Sequence, residues 1–384
     1  MIIYDALTST PKKLQRDGNQ VMITDLEDTG KDAKASLNTA TRLVLSPGWI
    51  DIQINGFMGV DFNQPVSTAD LLQAVEALAA VGVTRFLPTV ITHTPAHMEA
   101  CLQAIARATQ ESERIAQAVV GIHLEGPFLS AQDGARGAHP REAIRPPDLA
   151  LFERLQEASG QLVRLLTLSP EYEEAAAFIH EITNRGVRVA IGHTSATPEQ
   201  IQQAVQAGAS LSTHLGNGIQ ATLARHPNIL WEQLAQDKLF TSAIFDGFHL
   251  PTSTLKVFHK VKGTQLIMVS DAVALAGMSP GVYKGQIGGQ VELHPSGKLT
   301  MYGSEYLAGS ASSLLAGVNT AIHNLGCTLA DVFTMVSTTP QHYLGLPERA
   351  DYVVMASHTN TGQWEIVMTI VDGEIVYQNQ DVDT

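Results

Sequence analysis

Five apolar runs of this 384-residue chain carry, at or just beyond their ends, side chains that bind metal or move protons. VVGIHLEGPF carries Glu125, VAIGHTSAT carries His193, and LSTHLGNG carries His214. AIFDGFHL delivers Asp246 and His249, and LIMVSDA delivers Asp271. Each has an ordinary use when taken singly. A histidine at a strand end is commonly a hydrogen-bonded surface residue, and an aspartate after a strand commonly caps the next helix. Matching places on several strands change that reading. One Glu and two His leave an open position on a divalent ion for water, and a separate carboxylate can take that water's proton. The set predicts a metal-dependent hydrolase in which Glu125, His193 and His214 hold the ion and Asp271 moves the proton. His123 shares a strand face with Glu125 by the two-residue period and is expected to pack behind it. His93, His97, His180, His259, His323, His342 and His358 fall on predicted helices, loops or terminal strands and carry no predicted role.

These residues can act together only if a framework brings the strand ends to one rim. Eight β-rich runs supply it, at 48–54, 83–90, 118–125, 162–168, 187–192, 210–214, 241–245 and 265–270. Helix-like stretches separate them, which implies a parallel sheet. Eight such units imply closure into a (β/α)8 TIM barrel spanning 47–340, with function at the C-terminal ends of its strands. Two helix starts are well marked. Ser67 precedes Asp70 by three, with Leu71, Val75 and Leu78 following, and the helix is expected to end near Gly82. Thr197-Pro-Glu-Gln offers a cap, a first-position proline and a capping-box Gln200, with Gly208 as the stop.

The two ends read differently. Residues 1–46 are polar, with turns expected at Lys12, Lys13, Asp17-Gly18 and Asp28 to Lys34. Two alternating β runs, 352–355 and 364–370, precede a hairpin signal at Asp372-Gly373. Neither end can bury a core alone, so 1–46 and 341–384 are expected to build one small β-sandwich domain beside the barrel.

Composition bounds the partners. The chain is 44% hydrophobic and 16% charged, as a chain with a large core should be. With 24 Lys+Arg against 38 Asp+Glu, its net charge of −14 argues against a nucleic-acid or anionic-membrane surface. Two cysteines cannot make a disulfide framework, which points to a reducing compartment. No leader-like start and no apolar run of about 18 residues is present, so a cytoplasmic protein is expected.

Taken in order, PGWIDIQING, HLEGPF, GHTSAT, STHLGNGI, DGFHL, SDAVALAG and LAGSA resemble the N-acetylglucosamine-6-phosphate deacetylase family of the amidohydrolase superfamily. The resemblance runs from about Pro47 to about Pro340. It implies removal of acetyl from an N-acetyl hexosamine 6-phosphate, most readily N-acetylglucosamine 6-phosphate, by a zinc-dependent homodimer. It also implies the same roles for Glu125, His193, His214 and Asp271. His249 then binds substrate, and Asn217, Gly218 and Leu307 are substrate contacts. His139 in RGAHP touches the sugar. Arg225 binds the phosphate, reaching into the neighbouring subunit's site.

Three departures qualify the resemblance. Many amidohydrolases carry His-x-His at the end of strand one, whereas this chain has Gln53-Ile-Asn55, neutral amides that ligate zinc poorly. A single ion is therefore expected. Gly216 and Gly218 flank Asn217 where an aromatic is usual, which suggests a looser sugar pocket. TLARHPNILW also differs from the usual Gly-rich continuation. The alternatives are an amidohydrolase acting on another amide or N-acetylated sugar, and a non-catalytic sugar-phosphate-binding protein.

Overall fold

Runs of buried apolar residues, such as Leu266-Ile-Met-Val269, make strands because side chains on both faces find partners. A computed structural model describes residues 2–5, 7–8, 10–25, 43–285, 289–358 and 361–380. Its eight parallel strands are Trp49–Ile54, Val83–Ile91, Ile122–Glu125, Val163–Leu168, Arg188–Ile191, Leu211–Ser212, Phe240–Ile244 and Leu266–Val269. Neighbours in the sheet are neighbours in the chain. The first and eighth are laced beyond their ends, where Asp271 N donates to Gln53 O at 3.0 Å and Asn55 N to Ala272 O at 2.7 Å. The expected (β/α)8 barrel is present.

Alternation divides two cores. Ile50, Ile52, Leu87, Leu165, Ala190, Leu211, Ile244, Ile267 and Val269 cluster together, with Tyr343 and Leu344 of the helix Thr339–Leu344 packed against them. Phe86, Val90, Ile122, Leu124, Leu166, Val189 and Met268 belong instead to the larger core under the helices. The first strand breaks its pairing between Asp51 and Ile54. Ile52 joins the inner cluster, and its neighbour Gln53 also turns to the barrel interior to meet Glu125. Such a bulge re-aims a side chain.

Local signals set the helices. Ser67 and Asp70 form a capping box on Thr68–Ala79, and Thr197 and Gln200 form another on Pro198–Ala207, which stops at Gly208 with φ +119°. The third run is shorter than expected. Ser112 caps a helix over Glu113–Ala118, which buries Ile115 and Ala118, and Gly121 at φ +153° separates it from the strand.

Terminal strands Ile2–Asp5, Pro11–Asp17, Gln20–Asp25, Leu43–Pro47, Tyr352–Ser357, Trp364–Val371 and Glu374–Gln378 form a separate, mostly antiparallel sheet hydrogen-bonded all the way round. It encloses Ile3, Leu14, Leu45, Val354, Val367 and Ile370. Asp372 and Gly373, at φ +50° and +81°, turn its last hairpin, the conformation that a two-residue turn needs. Lys12 and Lys13 lie within a strand rather than a turn, and the turn expected over Asp28 to Lys34 lies outside the described residues. Buried Arg85 of the second barrel strand pairs with Asp351 at 3.4 Å, and Thr369 donates to Ala79 O at 2.7 Å, tying sheet to barrel. Two sheets went unforeseen: a short hairpin, Gly56–Phe57 with Val60–Asp61, after the first barrel strand, and a three-stranded sheet, Gly281–Lys284, Gln290–Leu293 and Leu299–Met301, after the eighth. No helix of the described residues is long and apolar enough to cross a membrane.

Candidate metal centre and proton carrier

Three of the residues picked out at strand ends leave their strands by a tight backbone turn, while Glu125 closes its strand in extended backbone. His193, His214 and Asp271 have φ of +46°, +28° and +47°, a region that costs a non-glycine residue about 1–3 kcal/mol. Surrounding bonds hold them there. Ser130 N donates to His193 O at 2.9 Å, His214 N donates to Ser242 Oγ at 2.8 Å, and Asp271 N donates to Gln53 O.

These turns bring Glu125, His193 and His214 together. Glu125 Oε1 lies 3.0 Å from His214 Nε2 and 3.2 Å from His193 Nε2, and the two nitrogens are 3.1 Å apart. Tetrahedral bonds of 2.0–2.1 Å would set ligand atoms about 3.3 Å apart, so the spacing fits one small divalent ion. The tautomer fits as well. His193 Nδ1 donates to Ala135 O at 3.0 Å, which leaves Nε2 as the lone-pair atom facing the cluster. His214 Nδ1 is buried with no hydrogen-bond partner among the described residues. Burial raises the Glu125 pKa, but the His193 and His214 imidazoles packed against its carboxylate outweigh it and hold the carboxyl well below its ordinary range. Burial lowers the His214 pKa, and the Glu125 contact more than reverses this.

Asp271 stands apart from those three. Asn55 Nδ2 donates to its Oδ1 at 2.8 Å, while burial pushes its pKa up to about 6. His249 Nδ1 lies 2.6 Å from Asp246 Oδ2, and Asp246 also accepts from the backbone of Phe248 and His249. Asp246 thus fixes the imidazole and leaves its Nε2 free for another partner. Its place three residues before His249 in DGFHL was the available signal.

Of the other predicted residues, His139 and Asn217 lie against the cluster. His139 is buried, its Nε2 3.3 Å from His193 Nε2, and burial with the His193 charge pushes its pKa down to about 3. Asn217 folds back, its backbone N and Nδ2 reaching His214 O at 3.0 and 3.3 Å. Leu307 is partly buried and bridges Thr300 beside the three-stranded sheet. Arg225 is on an exposed loop, with no ion pair to a described residue. His123 packs behind Glu125, its Nε2 2.7 Å from Thr167 Oγ1.

Gly218 does not loosen the site. A Cβ there would lie 2.7 Å from His193 Nδ1, and one at Gly137 would lie 3.0 Å from His193 Cε1. Two glycines therefore cradle that imidazole, a contact that no local pattern in the sequence reveals. Gly216 is also tight, its Cβ position 2.9 Å from Leu250 Cδ2. Gln53, read in the sequence only as a poor ligand, donates from Nε2 to Glu125 Oε1 at 3.1 Å.

Residues 44–376 match the pattern of the Amidohydrolase family. The chain is 31% identical over 348 residues to N-acetylglucosamine-6-phosphate deacetylase of Bacillus subtilis, covering 88% of this chain and 86% of that one. It is 32% identical over 304 residues to N-acetylgalactosamine-6-phosphate deacetylase of Escherichia coli O157:H7, covering 79% and 78%. A crystal structure of N-acetyl-D-glucosamine-6-phosphate deacetylase from Mycobacterium smegmatis aligns with a TM-score of 0.84 at 26% identity, over 98% of this chain and 100% of that one.

Proposed function

The chain belongs to the amidohydrolase family and, within it, to the N-acetylglucosamine-6-phosphate deacetylases, and from that premise we propose which substrate it takes and which residues act on it. It is a metal-dependent hydrolase of an N-acetyl group. The substrate proposed is N-acetylglucosamine 6-phosphate, giving the amino sugar phosphate and acetate. The observation that carries this reading is the convergence of Glu125, His193 and His214 with Asp271 held separately by Asn55.

Glu125 Oε1, His193 Nε2 and His214 Nε2 would hold one divalent ion, and their N/O donor set suits zinc. When bound there, such an ion polarises the acetyl carbonyl and makes water more acidic. Asp271 takes the proton from the attacking water as the new C–O bond forms. It then returns that proton to the nitrogen as the C–N bond breaks, so acetate and the free amine separate. His249, fixed by Asp246, is proposed to hold the acetyl oxygen or the sugar. His139, Asn217, Gly218 and Leu307 are proposed as further substrate contacts, and Arg225 as the phosphate contact. We place this chemistry in 47–340, assign the terminal strands of 1–46 and 341–384 to a supporting domain, and propose a cytoplasmic homodimer.

The test is acetate release from a panel of N-acetyl hexosamine 6-phosphates and their unphosphorylated sugars. N-acetylglucosamine 6-phosphate should be turned over best. Preference for the galactosamine epimer, which the similarity to the Escherichia coli relative favours as the second reading, would move the assignment to that sugar. Preference for a neutral sugar would overturn the phosphate while leaving the deacetylase chemistry.

A further inference from the structure

The amides at the end of the first barrel strand have a use that their weakness as ligands hides. Gln53 is 1% exposed and Asn55 7%, so neither can leave its donors to water. Each donates to a different carboxylate. Gln53 Nε2 reaches Glu125 Oε1 at 3.1 Å, and Asn55 Nδ2 reaches Asp271 Oδ1 at 2.8 Å. A carboxylate oxygen only accepts, so both amides must turn their nitrogens toward the acids. The backbone prepares the same arrangement. The register break between Asp51 and Ile54 turns Gln53 inward beside Ile52. Asp271 N donates to Gln53 O, and Asn55 N and Gly56 N both donate to Ala272 O at 2.7 and 3.1 Å. Side chain and main chain together fix strand one against the two acids.

We propose that Gln53 and Asn55 are positioning residues with divided tasks, Gln53 aiming Glu125 at the ion and Asn55 aiming Asp271 at the water. The proposal rests on the deacetylase reading and deepens it. A charge-assisted bond to one carboxylate oxygen restricts rotation of that carboxylate, so the remaining lone pairs keep a defined direction. Glu125 and Asp271 serve different steps, binding an ion and moving a proton. Loss of each amide should therefore fail in a different way.

Gln53→Met keeps the length and removes the donor. Competition between the protein and a chelator for zinc should then show a metal dissociation constant raised roughly ten- to a hundredfold. Asn55→Ala should keep the wild-type metal affinity and KM while kcat falls roughly ten- to a hundredfold. If Asn55→Ala proves unfolded by its melting curve, Asn55→Ser replaces it, since its hydroxyl is too short to reach Asp271 and should show the same kcat loss. Wild-type metal affinity in Gln53→Met, wild-type kcat in the Asn55 variant, or loss of metal from both variants alike would each overturn the divided roles. The chelator arm uses no substrate. A wild-type protein that releases no acetate from any sugar phosphate therefore counts against the deacetylase reading, whereas unchanged metal affinity in Gln53→Met counts against the inference.

Discussion

Two aspartates near the same rim, Asp51 fully buried and Asp271 half-buried, illustrate how surroundings decide what one side chain does. Asp271 is raised to about 6 by burial, with His214 pulling down and Glu125 pushing up. Asp271→Asn keeps the shape but cannot accept a proton, so kcat should fall roughly 100- to 10,000-fold while elemental analysis still finds the metal. Near-normal turnover in that variant would remove Asp271 from the proton path. The base form prevails above about pH 6, and a nearby dication favours it further. The acid limb of kcat/KM should thus fall at or below about pH 6, and a limb centred above 7 would contradict this. Asp51 is raised to about 7 by burial, against hydrogen bonds from Ser270 and Gln53 that favour its charge. Its folded pKa lies above the ordinary 3.8, so the folded state holds the proton more tightly. The stability that Asp51 contributes is complete below pH 3.8 and is lost as pH rises through about 7. Between those limits the melting temperature of wild type should drop relative to Asp51→Asn. A constant difference would show that Asp51 ionises normally.

Elements with a local cause were legible in the chain. The capping boxes at Ser67 and Thr197, the stop at Gly208 and the turn at Asp372-Gly373 depend on neighbouring residues, and all four formed. The third run was overread because Val119 and Val120 continue an apolar pattern across Gly121, although the helix capped by Ser112 claims everything up to Ala118. The loops that hold His193 were not legible at all. Gly218→Ala would strain a residue at φ +61° and also drive a methyl into the imidazole, so chelator competition should show metal held at least roughly tenfold more weakly. Gly186 is the control, with φ +84° and nothing within 4 Å of its Cβ position. Gly186→Ala should cost about 1 kcal/mol of stability and leave metal affinity alone. Equal metal loss in both variants would refute the cradle.

At the scale of the whole molecule, a net charge of −14 opposes a dianionic sugar phosphate at long range, so binding needs concentrated local positive charge. Arg225, exposed and without an ion pair to a described residue, is free to meet a phosphate, in its own site or a partner's. Arg225→Ala should raise KM for the 6-phosphate roughly ten- to a hundredfold and affect the neutral sugar less. Mixed protomers of Arg225→Ala and Asp271→Asn should regain activity at low substrate, because one site of each hybrid then holds both native residues. Activity that stays at the sum of the two variants would make Arg225 a surface charge.

The sequence by itself determined the barrel and the chemistry at its rim. Strand alternation, helix caps and the polar residues closing several apolar runs are local patterns, and a count of eight parallel βα units points to a closed barrel. What only the tertiary structure decided is how those residues are aimed. Gln53 turns inward at a bulge, Asn55 meets Asp271 from 216 positions away, and Gly137 and Gly218 both close on the His193 ring. Such contacts depend on which strand ends become neighbours and on register shifts of a single residue. No periodicity in the chain encodes them, because they exist only once the barrel has closed.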